Sequence, residues 1–160
     1  MQVLVLYHSR TGNTEELAKA VAKGVRSVPG TDCVLRSVSK VTQNDFVFAD
    51  GIIAGSPVYF GTMAAELKAV FDKFVQVRGR MEGKVGAAFA TSADDTGGKE
   101  TTILSILQAM LIYGMVVVGD PMSATGHYGV GCVERPDSRA VENASKLGRR
   151  VAELVQKLGP

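Results

Sequence analysis

The 160-residue chain has no tryptophan, only two cysteines and only two histidines. Cys33 and Cys132 stand far apart and belong to no CxxC or metal-ligand cluster, so a metal centre is not expected and both read as reduced thiols. No charge sign dominates: 18 basic against 16 acidic residues leave a net charge of +2. Lysines and arginines occur singly or in short pairs such as Arg149-Arg150, without the continuous basic patch that nucleic-acid binding needs. No apolar run approaches membrane-spanning length, and Met1 leads into a strand pattern without the basic start and apolar stretch of a signal peptide. A cytoplasmic protein is the expectation.

Three phosphate motifs are missing too. A Walker loop needs GxxxxGK followed by Ser or Thr, but Gly83-Lys84 and Gly98-Lys99 precede Val85 and Glu100. The Rossmann fingerprint GxGxxG has its nearest match at Gly129-x-Gly131, where Glu134 occupies the third glycine's place. A receiver domain would carry paired acids at the end of the first strand, where this chain has His8-Ser9.

What is present is an ordinary globular composition, 46% apolar and 21% charged, over a length that suits one domain, residues 1–160. "VLVLY" (3–7), "GIIAGS" (51–56), "VGAAFAT" (85–91) and "MVVVG" (115–119) are short aliphatic runs that suit strands buried on both faces, and "CVLRSV" (33–38) alternates like an edge strand. Leu17, Val21 and Val25 recur at helical spacing until Pro29-Gly30. Leu67, Val70, Phe71 and Phe74 form a second stripe, Ile103 to Leu111 a third and Val141 to Leu158 a fourth. "TQNDFVFAD" is too short and mixed to assign. Strands alternating with helices imply an α/β fold, a five-stranded parallel sheet sandwiched between helices in three layers.

In such a sheet a ligand sits beyond the carboxyl ends of the strands, so the informative loops are "HSRTGNT", "GSPVYFGTM" and "ATSADDTGGKE". In the first, Ser9, Thr11 and Thr14 offer hydroxyls and Gly12 lets the backbone approach closely. The start of the following helix adds its N–H groups, which together make a phosphate cradle. Thr11 or Asn13 would equally serve as a helix cap in a tight turn, with Glu15-Glu16 favouring the helix dipole. In the second loop, Tyr59 and Phe60 either stack on a flat ligand or plug the sheet end. Asp94 and Asp95, in the third, read first as turn formers.

"SRTGNT" matches the flavodoxin phosphate-loop pattern Ser/Thr-x-Thr-Gly-x-Thr at every position. "GSPVYFGTMAAELKAVFDKF" resembles the flavin-contacting segment of WrbA-type NAD(P)H:quinone oxidoreductases. "TGGKETTI", "YGMVVVG" and "GHYG" continue the resemblance in order along nearly the whole chain. It implies a flavodoxin-like doubly wound sheet of order 2-1-3-4-5 with FMN as cofactor. The phosphate would rest on Ser9, Arg10, Thr11, Gly12, Asn13 and Thr14. The ring would lie against Pro57, Val58, Tyr59, Phe60 and Gly61 and against Thr91, Ser92, Ala93, Asp94, Asp95, Gly97 and Gly98. Tyr113 stands where family members usually have His before "GM", His127 and Tyr128 would line the substrate pocket, and the long insertion after the second strand is missing.

Two functions follow from the resemblance: an enzyme passing electrons from NAD(P)H through FMN to a quinone-like acceptor, or a flavodoxin-type electron carrier. The near balance of charge favours the enzyme, since low-potential flavodoxins are strongly acidic. The helix from Thr101 to Tyr113 is apolar almost all round, which suits burial either in a core or against another subunit; the resemblance to WrbA-type enzymes, which form tetramers, implies a homodimer or homotetramer.

Overall fold

Side chains alternate along a strand, and that alternation builds the layers. The computed structural model describes residues 1–159. In it β1 (Gln2–Tyr7) turns Val3 and Val5 to one face and Leu4 and Leu6 to the other, all four fully buried. β1 lies parallel between β2 (Asp32–Ser37) and β3 (Gly51–Tyr59), β4 (Thr62–Met63) folds back antiparallel on β3, and β5 (Val85–Ser92) continues the parallel sheet beyond β3.

The spatial order β2-β1-β3-β5 agrees with the expected winding, and the fifth position differs from the single strand expected over 115–119. β6 (Val116–Val117) pairs with Val85 and Gly86, and β7 (Val130–Val133) with Phe89 to Ser92, both parallel. Between them the chain leaves the sheet at Pro121, whose ring nitrogen has no proton for the ladder. The Gly126 N–H donates to Asp120 Oδ2 at 2.7 Å, closing that excursion.

Helices α1 (Asn13–Arg26) and α5 (Ser138–Leu158) cover one face through Leu17, Val21, Leu147 and Val151. α2 (Gln43–Phe48), α3 (Ala65–Lys73) and α4 (Lys99–Ile112) cover the other through Phe46, Leu67, Ile106 and Met110. α2 falls in the stretch left unassigned. Its start is a capping box in which the Asp45 N–H donates to Thr42 Oγ1 at 3.3 Å and the Thr42 N–H to Asp45 Oδ2 at 2.8 Å. Cys33 and Cys132 are free thiols, and burial pushes each up to about 11, so both are protonated at neutral pH. Among the described residues no helix is long and apolar enough to cross a membrane, and no group of three or more His, Cys, Asp or Glu side chains is placed to hold a metal ion.

α1 and α5 meet backbone to backbone. A Cβ at Gly24 would stand 1.9 Å from the Ser145 carbonyl oxygen, and one at Gly148 would stand 2.1 Å from that of Val21. Neither obstacle is a side chain that can swing away. Gly148→Ala should therefore cost about 3 kcal/mol in overpacking, offset by about 1 kcal/mol of helix propensity. A net loss of about 2 kcal/mol is expected as a lower urea midpoint at unchanged m-value, and an unchanged midpoint would show that the helices part freely.

Candidate functional site

Residues 8–12 turn from the carboxyl end of β1 into α1. Gly12 occupies the N-cap with φ 99°, and among the described residues no side chain caps the helix. A Cβ added at Gly12 would have no described atom within 4 Å, so the positive end of a 14-residue helix faces open space. Ser9 Oγ accepts the Gly12 N–H at 3.1 Å, and the buried Thr14 places its Oγ1 2.8 Å from Thr91 Oγ1 at the end of β5. The two first-turn carboxylates, unfavourable beside an anion, are paired: Glu15 with Lys19 at 2.7 Å and Glu16 with Arg135 at 3.3 Å. Arg10 makes no ion pair among the described residues and is exposed toward the adjoining cleft.

The second loop is a two-residue hairpin. Tyr59 pairs with Thr62, and Phe60 and Gly61 between them have φ of 51° and 76°. Positive φ at both central positions is the type I′ geometry that matches strand twist and that Asn-Gly adopts best. A phenylalanine there is strained by about 1 kcal/mol, yet its ring is fully exposed. The hairpin is held from behind, where the Ala64 N–H donates to Ser56 Oγ at 2.8 Å and the Met63 N–H to Ser105 Oγ at 3.1 Å.

In the third loop the backbone carbonyls of Asp94 and Asp95 are engaged, and among the described residues their exposed carboxylates are not. Ser92 Oγ and the Gly97 N–H donate to Asp94 O at 2.7 and 3.1 Å, and Lys99 Nζ donates to Asp95 O at 2.6 Å. Gly98, the N-cap of α4, lies so close to the hairpin that a Cβ on it would stand 3.1 Å from Gly61 Cα. Thr14 and Thr91 therefore join the first loop to the third, and Gly61 and Gly98 join the second to the third. Arg10, Tyr59 and Phe60 share the wall of a cleft of about 900 Å³ that runs between α3 and α4 and includes Met63, Glu66, Gln108 and Ile112.

Not every expected residue joins them. α4 starts at the carboxyl edge and, at about 1.5 Å per residue, carries Tyr113 to the opposite edge of the sheet. There its hydroxyl donates to Phe71 O and its ring packs on Phe46 and Phe71. Burial, then the negative charge of Asp72, push this phenol up to about 12. Tyr113 is a core residue in this chain, away from the cradle. His127 and Tyr128 are exposed on the excursion between β6 and β7. The chain at Gly129 backs onto Ala88 in the middle of β5, so neither side chain reaches the cleft wall. Glu66, Ser105 and Gln108 also line the cleft, a placement that no local motif signals because it arises only when the hairpin folds beside α3 and α4. Glu66 Oε2 also lies 3.7 Å from His8 Nε2.

An uncapped helix behind a hydroxyl-rich turn, with aromatic and glycine-rich loops at the same sheet edge, defines a flavodoxin-like protein built for a phosphate-bearing flat cofactor. The model for "NADPH-dependent FMN reductase" matches residues 40–129. The chain is 38% identical to a flavodoxin of Aquifex aeolicus over 96% of this chain and 86% of that one. It is 35% identical to an NAD(P)H dehydrogenase (quinone) of Archaeoglobus fulgidus over 98% of both. A solved flavodoxin from the domain Archaea superposes with TM-score 0.82 at 26% identity, covering 98% of this chain and 99% of that one. A WrbA-like flavodoxin from Agrobacterium tumefaciens superposes at 0.85 with 24% identity, covering 98% of each. The chain belongs to the NADPH-dependent FMN reductase family. FMN is its cofactor, and the donor set agrees: hydroxyls and free helix N–H groups around open space suit a monophosphate that is held and not transferred.

Phe60→Asn tests the hairpin. It should raise the unfolding free energy by about 0.5–1 kcal/mol through relief at positive φ while weakening FMN binding about twofold to tenfold through loss of an aromatic wall. Thermal unfolding and flavin titration read the two effects separately. Tighter FMN binding in this variant would remove Phe60 from the site.

Proposed function

We propose that this protein oxidises NAD(P)H and passes the electrons to a quinone or similar flat acceptor, using FMN. The observation that carries the reading is the convergence of three loops on one sheet edge beside a large, mainly apolar cleft. Bound FMN supplies the hydride and electron chemistry. The chain's residues bind and orient. Ser9, Arg10, Thr11, Gly12, Asn13 and Thr14 hold the phosphate, Pro57 to Gly61 form one wall for the ring, and the segment from Ser92 to Gly98 forms the other. The cleft lined by Phe60, Met63 and Ile112 suits a flat acceptor or a nicotinamide, and its volume of about 900 Å³ lies within the usual range for small-molecule sites. One folding unit spans the chain in this reading, since both apolar cores share the one sheet. The free thiols suit a reducing compartment such as the cytoplasm.

The test is anaerobic titration of the FMN-loaded protein with NADPH and, separately, NADH. The flavin absorbance should bleach on a catalytic timescale of roughly 1–10³ s⁻¹ and return when a quinone is added. Absence of bleaching by both nucleotides would support the carrier reading that the Aquifex relative's name suggests.

Self-association belongs to the same proposal. Leu111 and Ile112 expose 56% and 68% of their surface on α4, and the half-exposed Val75 lines one groove with Ile112. A homodimer or homotetramer would cover them. Light scattering should find an oligomer that Ile112→Glu dissociates; a monomeric wild type would dismiss this assembly.

A further inference from the structure

We propose that Thr91 is a positioning residue for the cofactor phosphate, acting through Thr14. The inference rests on the phosphate site assigned above and moves the Thr91 hydroxyl from the ring wall to the phosphate end. Thr91 stands two residues beyond Phe89 on β5, and strand alternation turns both to the face that α1 covers. The Thr91 side chain therefore meets the first turn of α1, where its Oγ1 lies 2.8 Å from Thr14 Oγ1 across 77 positions of sequence. Thr14 is 2% exposed and Thr91 5%, and among the described residues this is the one hydrogen bond either hydroxyl makes.

A hydroxyl has one proton to donate. If Thr14 donates to Thr91, its proton is committed inward. If Thr91 donates to Thr14, the Thr14 proton is free to point out of the turn. A phosphate offers acceptor oxygens, so it selects the second arrangement, and the bond received from Thr91 strengthens the one Thr14 gives. Without Thr91, the Thr14 hydroxyl is free to turn to a carbonyl three or four residues back, that of Thr11 or Arg10, as threonines in helices do. Ser9 is arranged on the same logic. Its Oγ accepts the Gly12 N–H at 3.1 Å, which leaves its proton for an outward partner. The next hydroxyl along β5, Ser92, donates to Asp94 O and shapes the turn.

The test titrates apoprotein with FMN and with riboflavin, which lacks the phosphate, and follows flavin fluorescence. Thr14→Val should weaken FMN binding at least about tenfold, the effect of losing a hydrogen bond to a charged group. Thr91→Val should weaken it at least about fivefold with riboflavin binding unchanged, and Thr91→Ser should restore it to within about twofold, because the hydroxyl and its partner survive. The Thr14→Val, Thr91→Val double variant should bind FMN no more weakly than Thr14→Val alone, since a residue acting through another adds nothing once that other is gone. If Thr91→Val fails to fold, Thr91→Ala replaces it in the same comparisons. Unchanged FMN affinity in the Thr91 variant alone overturns the inference and leaves the phosphate site standing, whereas unchanged affinity in both single variants removes the phosphate site itself. Equal weakening for riboflavin, additivity in the double variant, or failure of serine to rescue each overturns the positioning role.

Discussion

The position of α1 is decided by a contact without side chains. Gly24 and Gly148 let α1 and α5 approach until backbone meets backbone, and the carbonyls of Ser145 and Val21 act as stops. A helix held at that depth cannot slide along the sheet without clashing. Its first turn is therefore delivered to one place, with Thr14 against Thr91 and the Gly12 corner open to solvent. Anion binding at a helix end depends on such delivery, because the N–H groups are useful only when they point where the ligand's oxygens will be.

Departures from local rules cluster at this edge of the molecule, although His127 and Glu134 also hold positive φ elsewhere. α2 and α5 begin with side-chain caps, Thr42 with Asp45 and Asp137 to the Ala140 N–H. α1 and α4, whose starts border the convergent loops, begin on the left-handed glycines Gly12 and Gly98 with no side-chain cap among the described residues. Between them Phe60 holds a positive φ and a fully exposed ring. Uncapped helix starts, backbone strain and solvent-facing aromatic surface all oppose folding, and their coincidence at one sheet edge is what a ligand site predicts. The surrounding structure tolerates them because Ser56 and Ser105 hold the hairpin through backbone bonds and the sheet beneath is buried on both faces.

The aliphatic runs at 3–7, 51–56 and 85–91 were legible as β1, β3 and β5, because a strand covered on both faces must be apolar at every position. Thr42 and Asp45 carried a readable cap signal, but a six-residue helix is too short for periodicity to register. The fifth strand position was legible only at its start. β7 contains Gly131 and is stabilised by its neighbour β5, a long-range partner that local composition does not reveal. Tyr113 was matched by its place in a motif, while its location follows from the length of α4, which ends at the far edge of the sheet. His127 has the chemistry of a proton donor, but it stands exposed on the excursion between β6 and β7, off the cleft wall.

Sequence alone determined what short-range physics controls: the fully apolar central strands, the helices long enough for periodicity to register, and which three loops carry glycine, hydroxyl and aromatic residues at the strand ends. Tertiary structure decided which of those residues meet. Thr14 reaches Thr91, and Gly61 lies against Gly98, because parallel register aligns the strand ends and the α1–α5 contact sets helix depth. Neither constraint is written in neighbouring residues. Each arises from the packing of elements tens of positions apart, so the hydroxyl pair behind the phosphate turn and the cleft between α3 and α4 exist only in the folded chain.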